Sequence, residues 1–447
     1  MTIQWGIKMG KGDYVRKIVA WELVCLVGVV LLSFLYHLWF LSGAVLFVAA
    51  SLVQPRVRRS IRQAKEDEYE YNQLTIYMEQ LLCSYKRNGS LVESMTDCLS
   101  VFEKGEPIGK HIEKALYILQ TGEGVEDGEI VANAFATIEK HYNSKRLRML
   151  HEFLNQAEQM GGKREQAIDI LLEDLQLWKR RTTLYQKKKK YIRVDTVIAV
   201  VFACCMCILS RLLVPKELGF DIADTMLYQV VTTAVLCGLL SIVHFVWKKL
   251  TGSWLDGQLL QNQETIQRVK RNYKLLCNEQ RNPIKKHLAY KICRRQVETE
   301  YPYWLLSITL LLQTESVYCA MEQSVNRKCG MFADEVRSLL DKLYDAPNQL
   351  YPYTEFFQQL EISEVQTGMK ILYSVNQNGY EESKRQLDFI ISQNNVLMDR
   401  AENNRYENQT AGLSLLKHLP MLIACVKMVA DLVNLLALTM GTLGQMA

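Results

Sequence analysis

The sequence predicts an all-α, polytopic membrane protein with about five transmembrane helices and two related cytoplasmic helical-bundle domains. The chain of 447 residues contains only 8 prolines and 23 glycines, a composition that favours helix over strand. Strongly apolar segments alternate with long stretches rich in Lys, Arg, Glu and Gln. The mean hydropathy of −0.06 therefore averages two unlike populations, one suited to lipid and one to water.

The first apolar region follows a short basic N-terminal segment, 1–17, and occupies residues 18–53. One ordinary span needs ~20 residues, so this region predicts two short helices that form a hairpin and turn near 36–39. Basic residues flank both ends, which places both ends in the cytoplasm by the positive-inside rule. The alternative is one long tilted helix. A cleaved signal peptide is not expected, because its apolar core would span only ~7–15 residues.

Residues 54–190 are predicted to form the first cytoplasmic helical domain. Apolar residues recur at helical spacing in six stripes, which are typical of the core faces of a helical bundle. The stripes are Leu74–Tyr85, Leu91–Phe102, Ile112–Leu119, Val131–Ile138, Leu147–Met160 and Ile168–Leu175. A turn is expected at Asn88-Gly89, and Ser90 with Glu93 three residues later predicts a capping box at the start of the next helix.

A second transmembrane hairpin is predicted at 191–247, with a short external turn at 214–225. Basic residues crowd its outer flanks, with Lys187–Lys190 before it, Arg193 at its start, and Lys248 and Lys249 after it. The turn is mainly acidic. This asymmetry predicts that the turn lies outside and that both flanks are cytoplasmic, where they contact anionic lipid.

Residues 248–410 are predicted to form the second cytoplasmic helical domain, a degenerate repeat of the first. The stretch that begins at Tyr301 parallels the one that begins at Tyr71, and each has two turns of apolar helix, a polar turn and a second amphipathic helix. The glycine turn at Gly161-Gly162 has a counterpart before Arg385. The period, roughly 230 residues from Tyr71 to Tyr301, indicates domain duplication, since solenoid repeats are only ~20–50 residues long.

The last apolar region, 411–444, is predicted to be a C-terminal transmembrane helix, and whether it forms one span or two stays open. Lys427 and Asp431 lie four residues apart within it, so they share a helix face and can pair. A charged pair inside a span normally faces other helices, which makes these residues a candidate intramembrane contact for assembly or pivoting. The alternative is that the span starts later and Lys427 lies near the headgroups.

The sequence contains no GxxxxGK[ST], HExxH or GxSxG motif. Its 12 cysteines are scattered singly except for Cys204, Cys205 and Cys207, which lie inside an apolar run, and this pattern is typical of reduced thiols without a metal role. Glu158 with Glu165, or Glu173 with Asp174, could form an acid–base pair, but carboxylates on solvated helix faces are commonplace. We therefore expect no enzyme, no cofactor and no metal site. The basic clusters flank spans, so nucleic-acid binding is not expected.

Two short elements resemble the type II secretion F family, the platform proteins of type II secretion and type IV pilus machines, which include the TadB and TadC proteins of Flp pili. RNGSLVESM at Arg87–Met95 resembles the family's first glycine turn, and EQMGGKREQAIDILLED at Glu158–Asp174 resembles its second. The N-terminal hairpin is similar to the TadB type. The resemblance singles out five residues as family-motif turn positions, namely Gly89, Glu93, Glu158, Gly161 and Gly162.

The resemblance implies a multi-pass protein of the bacterial cell (inner) membrane whose soluble domains are mostly cytoplasmic. It implies a non-enzymatic platform that couples a cytoplasmic hexameric secretion or pilus ATPase to the insertion of pilin or pseudopilin subunits. Further copies of the chain, or a paralogous platform protein, would complete an oligomer. The alternative is a membrane transporter or channel with helical cytoplasmic domains, for which the Lys427–Asp431 pair would line a pathway.

Overall fold

The computed structural model is helical throughout the residues that it describes, which confirms the predicted all-α class. It describes residues 11–446 except 104, 123–129, 161–164, 213–221, 252–253, 255–262, 278–282, 314, 326–329, 411 and 413–415.

The described residues contain fifteen α-helices and two short 3₁₀ turns. The helices are α1 (Lys11–Tyr36), α2 (Phe40–Asn88), α3 (Leu91–Val101), α4 (Pro107–Thr121), α5 (Ile130–Glu139), α6 (Lys145–Met160), α7 (Glu165–Leu212), α8 (Met226–Leu250), α9 (Gln263–Cys277), α10 (Pro283–Leu311), α11 (Val317–Val325), α12 (Met331–Asp345), α13 (Tyr351–Glu355), α14 (Ser363–Thr410) and α15 (Leu419–Met446). The 3₁₀ turns are Ile222–Asp224 and Gln358–Leu360.

The chain forms two compact units. We call the first the spanning unit, which comprises Met1–Glu66, Leu184–Gly252 and Glu407–Ala447. The second, the helical unit, comprises Asp67–Thr183 and Ser253–Tyr406. The two predicted cytoplasmic domains thus contribute to one compact unit, and their division into separate related bundles stays a prediction.

Four helices in the described residues are long and apolar enough to cross a membrane, namely α2, α7, α8 and α15. This length and composition indicate a membrane protein. The fifth predicted span corresponds to α1, where the apolar helical segment with described side chains, Ala20–Tyr36, is shorter than the ~20 residues of an ordinary span. The C-terminal apolar region contains one continuous helix.

The N-terminal apolar region folds as two helices, as predicted, and not as one long helix. The chain breaks between α1 and α2 at 37–39, where His37 adopts a left-handed conformation with φ of 50°. At the other end of the hairpin, Ser51 donates a hydrogen bond to Glu22 (3.2 Å) and Gln54 donates one to the Trp21 carbonyl (2.9 Å). The two helices are therefore antiparallel neighbours.

The helical unit contains two buried hydrophobic cores. The first is built mainly from the six predicted stripes, which lie on the C-terminal part of α2, on α3 to α6 and on the N-terminal part of α7. The second is built from α9 to α14. Leu306 and Leu310 of α10 and Met398 of α14 pack into the first core, so the two sequence segments share buried surface. The amphipathic pattern of each stripe supplies the apolar face that these cores bury.

Candidate functional site

Lys427 and Asp431 form the predicted pair on α15. The Lys427 Nζ donates a hydrogen bond to Asp431 Oδ2 at 2.5 Å, one helical turn away. The Lys427 residue is fully buried and Asp431 is 5% exposed. A charged pair is costly to bury in lipid unless its groups satisfy each other, and this geometry provides that partner.

The pair faces α8. The Lys427 Nζ lies 4.5 Å from the centre of the Tyr228 ring, an arrangement that attracts a cation to the electron-rich face of the ring. One turn further along α15, the Asn434 side chain donates to Thr225 Oγ1 at 2.7 Å. The α15 helix thus presents a polar stripe to the start of α8. This placement fits the predicted contact between helices; its role in assembly or pivoting stays a prediction.

Gln229 on α8 joins the two hairpins, a role that sequence reasoning missed. Its amide nitrogen donates to the carbonyls of His37 and Ala223, both at 2.8 Å. Its carbonyl oxygen accepts a hydrogen bond from the Trp39 backbone amide at 2.9 Å. The α1–α2 turn and the start of α8 therefore lie at the same end of the spanning unit. A single glutamine near the start of a mostly apolar helix was the available signal.

The opposite ends of these helices carry the basic residues. Arg193 donates to the carbonyl of Leu250, the last residue of α8, at 3.2 Å. The Arg58 guanidinium lies 4.4 Å from the centre of the Trp21 ring, at the open end of the first hairpin. The spanning unit therefore has one end formed by turns and another rich in Arg and Lys.

The first family-motif turn is a glycine turn, as predicted, but its capping box is wrong. Gly89 has φ of 68°, a left-handed conformation that costs a residue with a side chain ~1–2 kcal/mol. Ser90 occupies the N-cap position of α3, yet its side chain makes no capping hydrogen bond with the helix. Instead the Ser94 hydroxyl donates to the Ser90 carbonyl at 2.6 Å. Glu93 lies in the first turn of α3, where a carboxylate interacts favourably with the helix dipole.

Glu158 is tied to the end of α2 through Tyr85, whose hydroxyl donates to the Glu158 carboxylate at 3.3 Å. Glu158 lies shortly before the second motif turn, and α2 ends just before the first. The contact therefore links the two helices that precede the motif turns. Gly161 and Gly162 lie outside the described residues.

Arg146 on α6 is the centre of an ionic cluster that the sequence analysis did not identify. The side chain is 1% exposed and its Nε donates to Asp174 of α7 at 2.9 Å. Its other nitrogens donate to the Tyr303 hydroxyl of α10 at 3.2 Å and to Glu402 of α14 at 3.1 Å. The Trp178 ring lies 5.2 Å from the guanidinium carbon. We call this set the Arg146 cluster.

The Arg146 cluster connects sequence segments that were assigned to different predicted domains. Arg181 of α7 extends it through an ion pair with Asp399 and a hydrogen bond to the Asn395 carbonyl at 3.2 Å. Asp174, considered above as an acid–base candidate, instead neutralises a buried arginine. No short-range pattern predicts this cluster, because its members are separated by up to 256 residues.

A buried histidine lies in the first core. The His151 Nδ1 is 2.9 Å from Glu139 and its Nε2 is 3.1 Å from the Tyr77 hydroxyl. The Phe135 ring stacks on the imidazole at 3.9 Å between ring centres. Burial lowers the pKa of His151 below its ordinary 6.5, although the Glu139 carboxylate opposes this shift. Burial also raises the pKa of Tyr77 well above 10, so the phenol stays protonated.

No group of three or more His, Cys, Asp or Glu side chains that could hold a metal ion occurs in the described part of the chain. The cysteines described there are free thiols.

Comparisons with known proteins give no match. No protein-family model, no curated protein and no solved structure matches the chain.

Proposed function

We propose that this chain is a non-enzymatic platform protein of the bacterial inner membrane, which couples a cytoplasmic ATPase to pilin insertion in a type II secretion or type IV (Flp/Tad-like) pilus assembly machine. The observation that carries the proposal is the polarity of the spanning unit. The Gln229 hydrogen bonds hold the α1–α2 turn and the 3₁₀ turn before α8 at one end, and Arg193 and Arg58 lie at the other. By the positive-inside rule the basic end is cytoplasmic.

In this proposal five helices cross the membrane, with α1 as the fifth. Both hairpins then begin and end in the cytoplasm, which requires an even number of crossings for each. The chain enters and leaves the segments of the helical unit from these cytoplasmic ends, at 66/67, 183/184, 252/253 and 406/407. The helical unit is therefore assigned to the cytoplasm, where a hexameric ATPase is available.

The proposed partners are this ATPase, pilin or pseudopilin subunits, and further copies of the chain or a paralogous platform protein. The lipid membrane is its solvent, and neither nucleic acid nor a cofactor has a role. A role in transmitting motion is supported by α2 and α7, because each is one continuous helix that contributes residues to both units. Such a continuous helix is suited to carrying a displacement along its axis.

The topology is tested with reporters that are active on one side only. Green fluorescent protein fluoresces when fused on the cytoplasmic side, and alkaline phosphatase is active when exported. We expect fluorescence for fusions after Asn143 and Asn378 and phosphatase activity for a fusion after Ala223, which serves as the matched external control. Phosphatase activity at Asn143 or Asn378 would contradict the platform proposal.

The partners are tested by purifying the full chain from native membranes in several mild detergents. We expect a secretion ATPase and small pilin-like proteins to copurify, and an unrelated multi-pass protein from the same membranes serves as the control. Recovery of neither protein in any detergent would overturn the assigned role, even if the topology were correct.

The buried Lys427–Asp431 pair favours a second candidate, a transporter or channel. Ionisable side chains within spans often lie on substrate pathways. Flux of ions or small solutes into liposomes containing the pure chain, lost in Lys427→Met, would support this candidate against the platform. Transporters usually carry their repeats within the membrane, whereas the repeat predicted here lies in soluble segments.

A further inference from the structure

The two helices α9 and α10 carry an unusual concentration of positive charge. Residues 263–277 and 283–297 contain nine Lys and Arg and a single acidic residue, Glu264. The net charge of these two segments is thus +8, against +5 for the whole chain, so the remaining residues together are net negative. An ordinary solvated helix face mixes both signs more evenly, whereas the next acidic residues of α10, Glu298 and Glu300, follow only after these segments.

Only two of the nine basic side chains are neutralised within the described residues. Lys270 pairs with Asp334 at 2.6 Å, and Arg294 pairs with Glu298 at 2.9 Å. The other seven are solvent-exposed and form no ion pair with any described residue. They are Arg268, Arg271, Lys274, Lys285, Lys286, Lys291 and Arg295.

The first turns of α10 add apolar side chains to this charge. Ile284 is 79% exposed and Leu288 is 56% exposed. With Lys291 and Arg295 they follow the spacing of one helix face. We call these four residues the α10 stripe. The opposite face of α10 carries Ala289, Cys293 and Val297, which are all buried, the last two in the second core. The stripe therefore points away from the core.

We propose that the α10 stripe, with the exposed basic residues of α9 and α10, docks on the surface of a bilayer that contains anionic lipid. Basic side chains attract anionic headgroups, and neighbouring aliphatic side chains insert at the boundary with the acyl chains. The two aliphatic residues stand at the exposed end of the helix, where insertion requires no rearrangement of the core. The docking requires only that the chain lies in a membrane and is independent of the proposed function.

Two features favour lipid over the other polyanions. Protein surfaces that bind single-stranded nucleic acid usually offer aromatic rings on which bases stack. Here the tyrosines of α9 and α10 that precede Tyr301 are engaged elsewhere, because the Tyr290 hydroxyl donates to the Leu360 carbonyl at 3.2 Å and the Tyr273 ring packs against Phe357. An acidic protein surface would complement the basic side chains, but it would not explain why the aliphatic Ile284 and Leu288 are exposed beside them.

The test uses the full-length chain in nanodiscs, either of phosphatidylcholine alone or of phosphatidylcholine with phosphatidylglycerol. A photoreactive benzoyl-phenylalanine replaces Leu288, and lipid adducts are measured by mass spectrometry. The same photoreactive residue at Tyr117, an exposed position on α4, is the positional control. We expect at least about fivefold more lipid adduct at 288 in the anionic discs than in neutral discs or at 117. The excess should fall at ~0.5 M salt, because screening weakens the attraction.

Charge reversal supplies the second arm. Lys285→Glu with Lys291→Glu should remove the excess of adduct at 288. The matched control, Lys110→Glu with Lys114→Glu, changes two exposed lysines of α4 by the same net charge and should leave it intact. Thermal unfolding of both variants checks that the fold is retained; exposed lysines without ion pairs should tolerate the change.

Three results would overturn the proposal. Equal amounts of adduct at 288 in both lipid compositions would show that anionic lipid does not attract this surface. Equal loss of adduct in the two charge-reversal variants would show that the excess depends on the net charge of the chain and not on the α10 stripe. Crosslinking at 288 in native membranes to a protein in place of lipid would assign the surface to an acidic protein partner.

Discussion

The two buried ionic sites of this protein are built in opposite ways. Lys427 and Asp431 lie one turn apart on a single helix of the spanning unit. The Arg146 cluster in the helical unit instead collects its partners from three other helices. Both sites neutralise charge away from water, but the ion pair of the first lies within one helix and contacts α8 through the Tyr228 ring. The second holds together segments that are far apart in the chain, so its loss should be more costly.

The largest expected effect is therefore at Arg146. Arg146→Met leaves the buried Asp174 without its cation and removes one ionic partner of Glu402, which should lower the free energy of unfolding of the helical unit by about 3–5 kcal/mol. Hydrogen exchange of α6 peptides in the detergent-solubilised chain measures it. Arg148→Met is the control, because Arg148 is half-exposed on the same helix and lies 3.6 Å from Glu139; it should cost under ~1 kcal/mol. Equal losses of stability in the two variants would show that the Arg146 cluster contributes no more than a half-exposed ion pair.

Asp431→Leu should have the next largest effect. It leaves the fully buried Lys427 without a counter-ion inside the spanning unit, and an unpaired charge within a span costs about 2.5–3.5 kcal/mol. Unfolding of the purified chain in denaturing detergent measures the loss. The double variant Lys427→Met with Asp431→Leu should recover most of it, since two apolar residues need no pairing. A double variant no better than the single one would mean that the pair has other partners essential to the fold.

His151 should make stability depend on pH. Because burial lowers its pKa in the folded state below 6.5, the unfolded chain binds a proton first as the pH falls. Its contribution is therefore fully present above pH 6.5 and is lost below it, by up to about 1.4 kcal/mol per pH unit. His151→Gln should flatten the decline in stability between about pH 7.5 and 5.5, as followed by thermal unfolding. His287→Gln, at an exposed position of α10, should leave the slope unchanged.

The smallest expected effect is at Gly89. No atom lies within 4 Å of an added Cβ there, so Gly89→Ala pays only for the left-handed backbone, about 1–2 kcal/mol. Gly89→Asn should cost less, because asparagine tolerates that conformation better than alanine. Thermal unfolding of the two variants checks this order, and the reverse order would show that the turn is held by its side chains and not by its backbone.

Much of the helix pattern could be predicted from the sequence. The six stripes of the first helical segment lie on helices and fill one core. The α1–α2 break and the helix α8 follow from apolar length and turn chemistry, whereas the sequence left open whether the region of α15 forms one span or two. The predicted capping box is wrong, because the Ser90 side chain makes no capping hydrogen bond even though the residue occupies the predicted position. The fifth span and the separation of two cytoplasmic domains stay predictions.

The candidate sites divide in the same way. The Lys427–Asp431 pair could be predicted, since a separation of four residues brings two side chains to one helix face whatever the rest of the chain does. Gln229, Arg146 and His151 could not be assigned a role. Their partners lie up to 192, 256 and 74 residues away, and no alternation or spacing along the chain relates residues at such distances.

The sequence by itself determined the helices, their apolar faces and the placement of basic residues at span ends, because each depends on neighbours within a few turns. Only the tertiary structure decided that the α1–α2 turn and the start of α8 meet at one end through Gln229, and that Arg146 joins the two segments of the helical unit. The physical reason is that a buried polar group must find a partner wherever the packed helices bring one. The identity of that partner depends on how those helices pack.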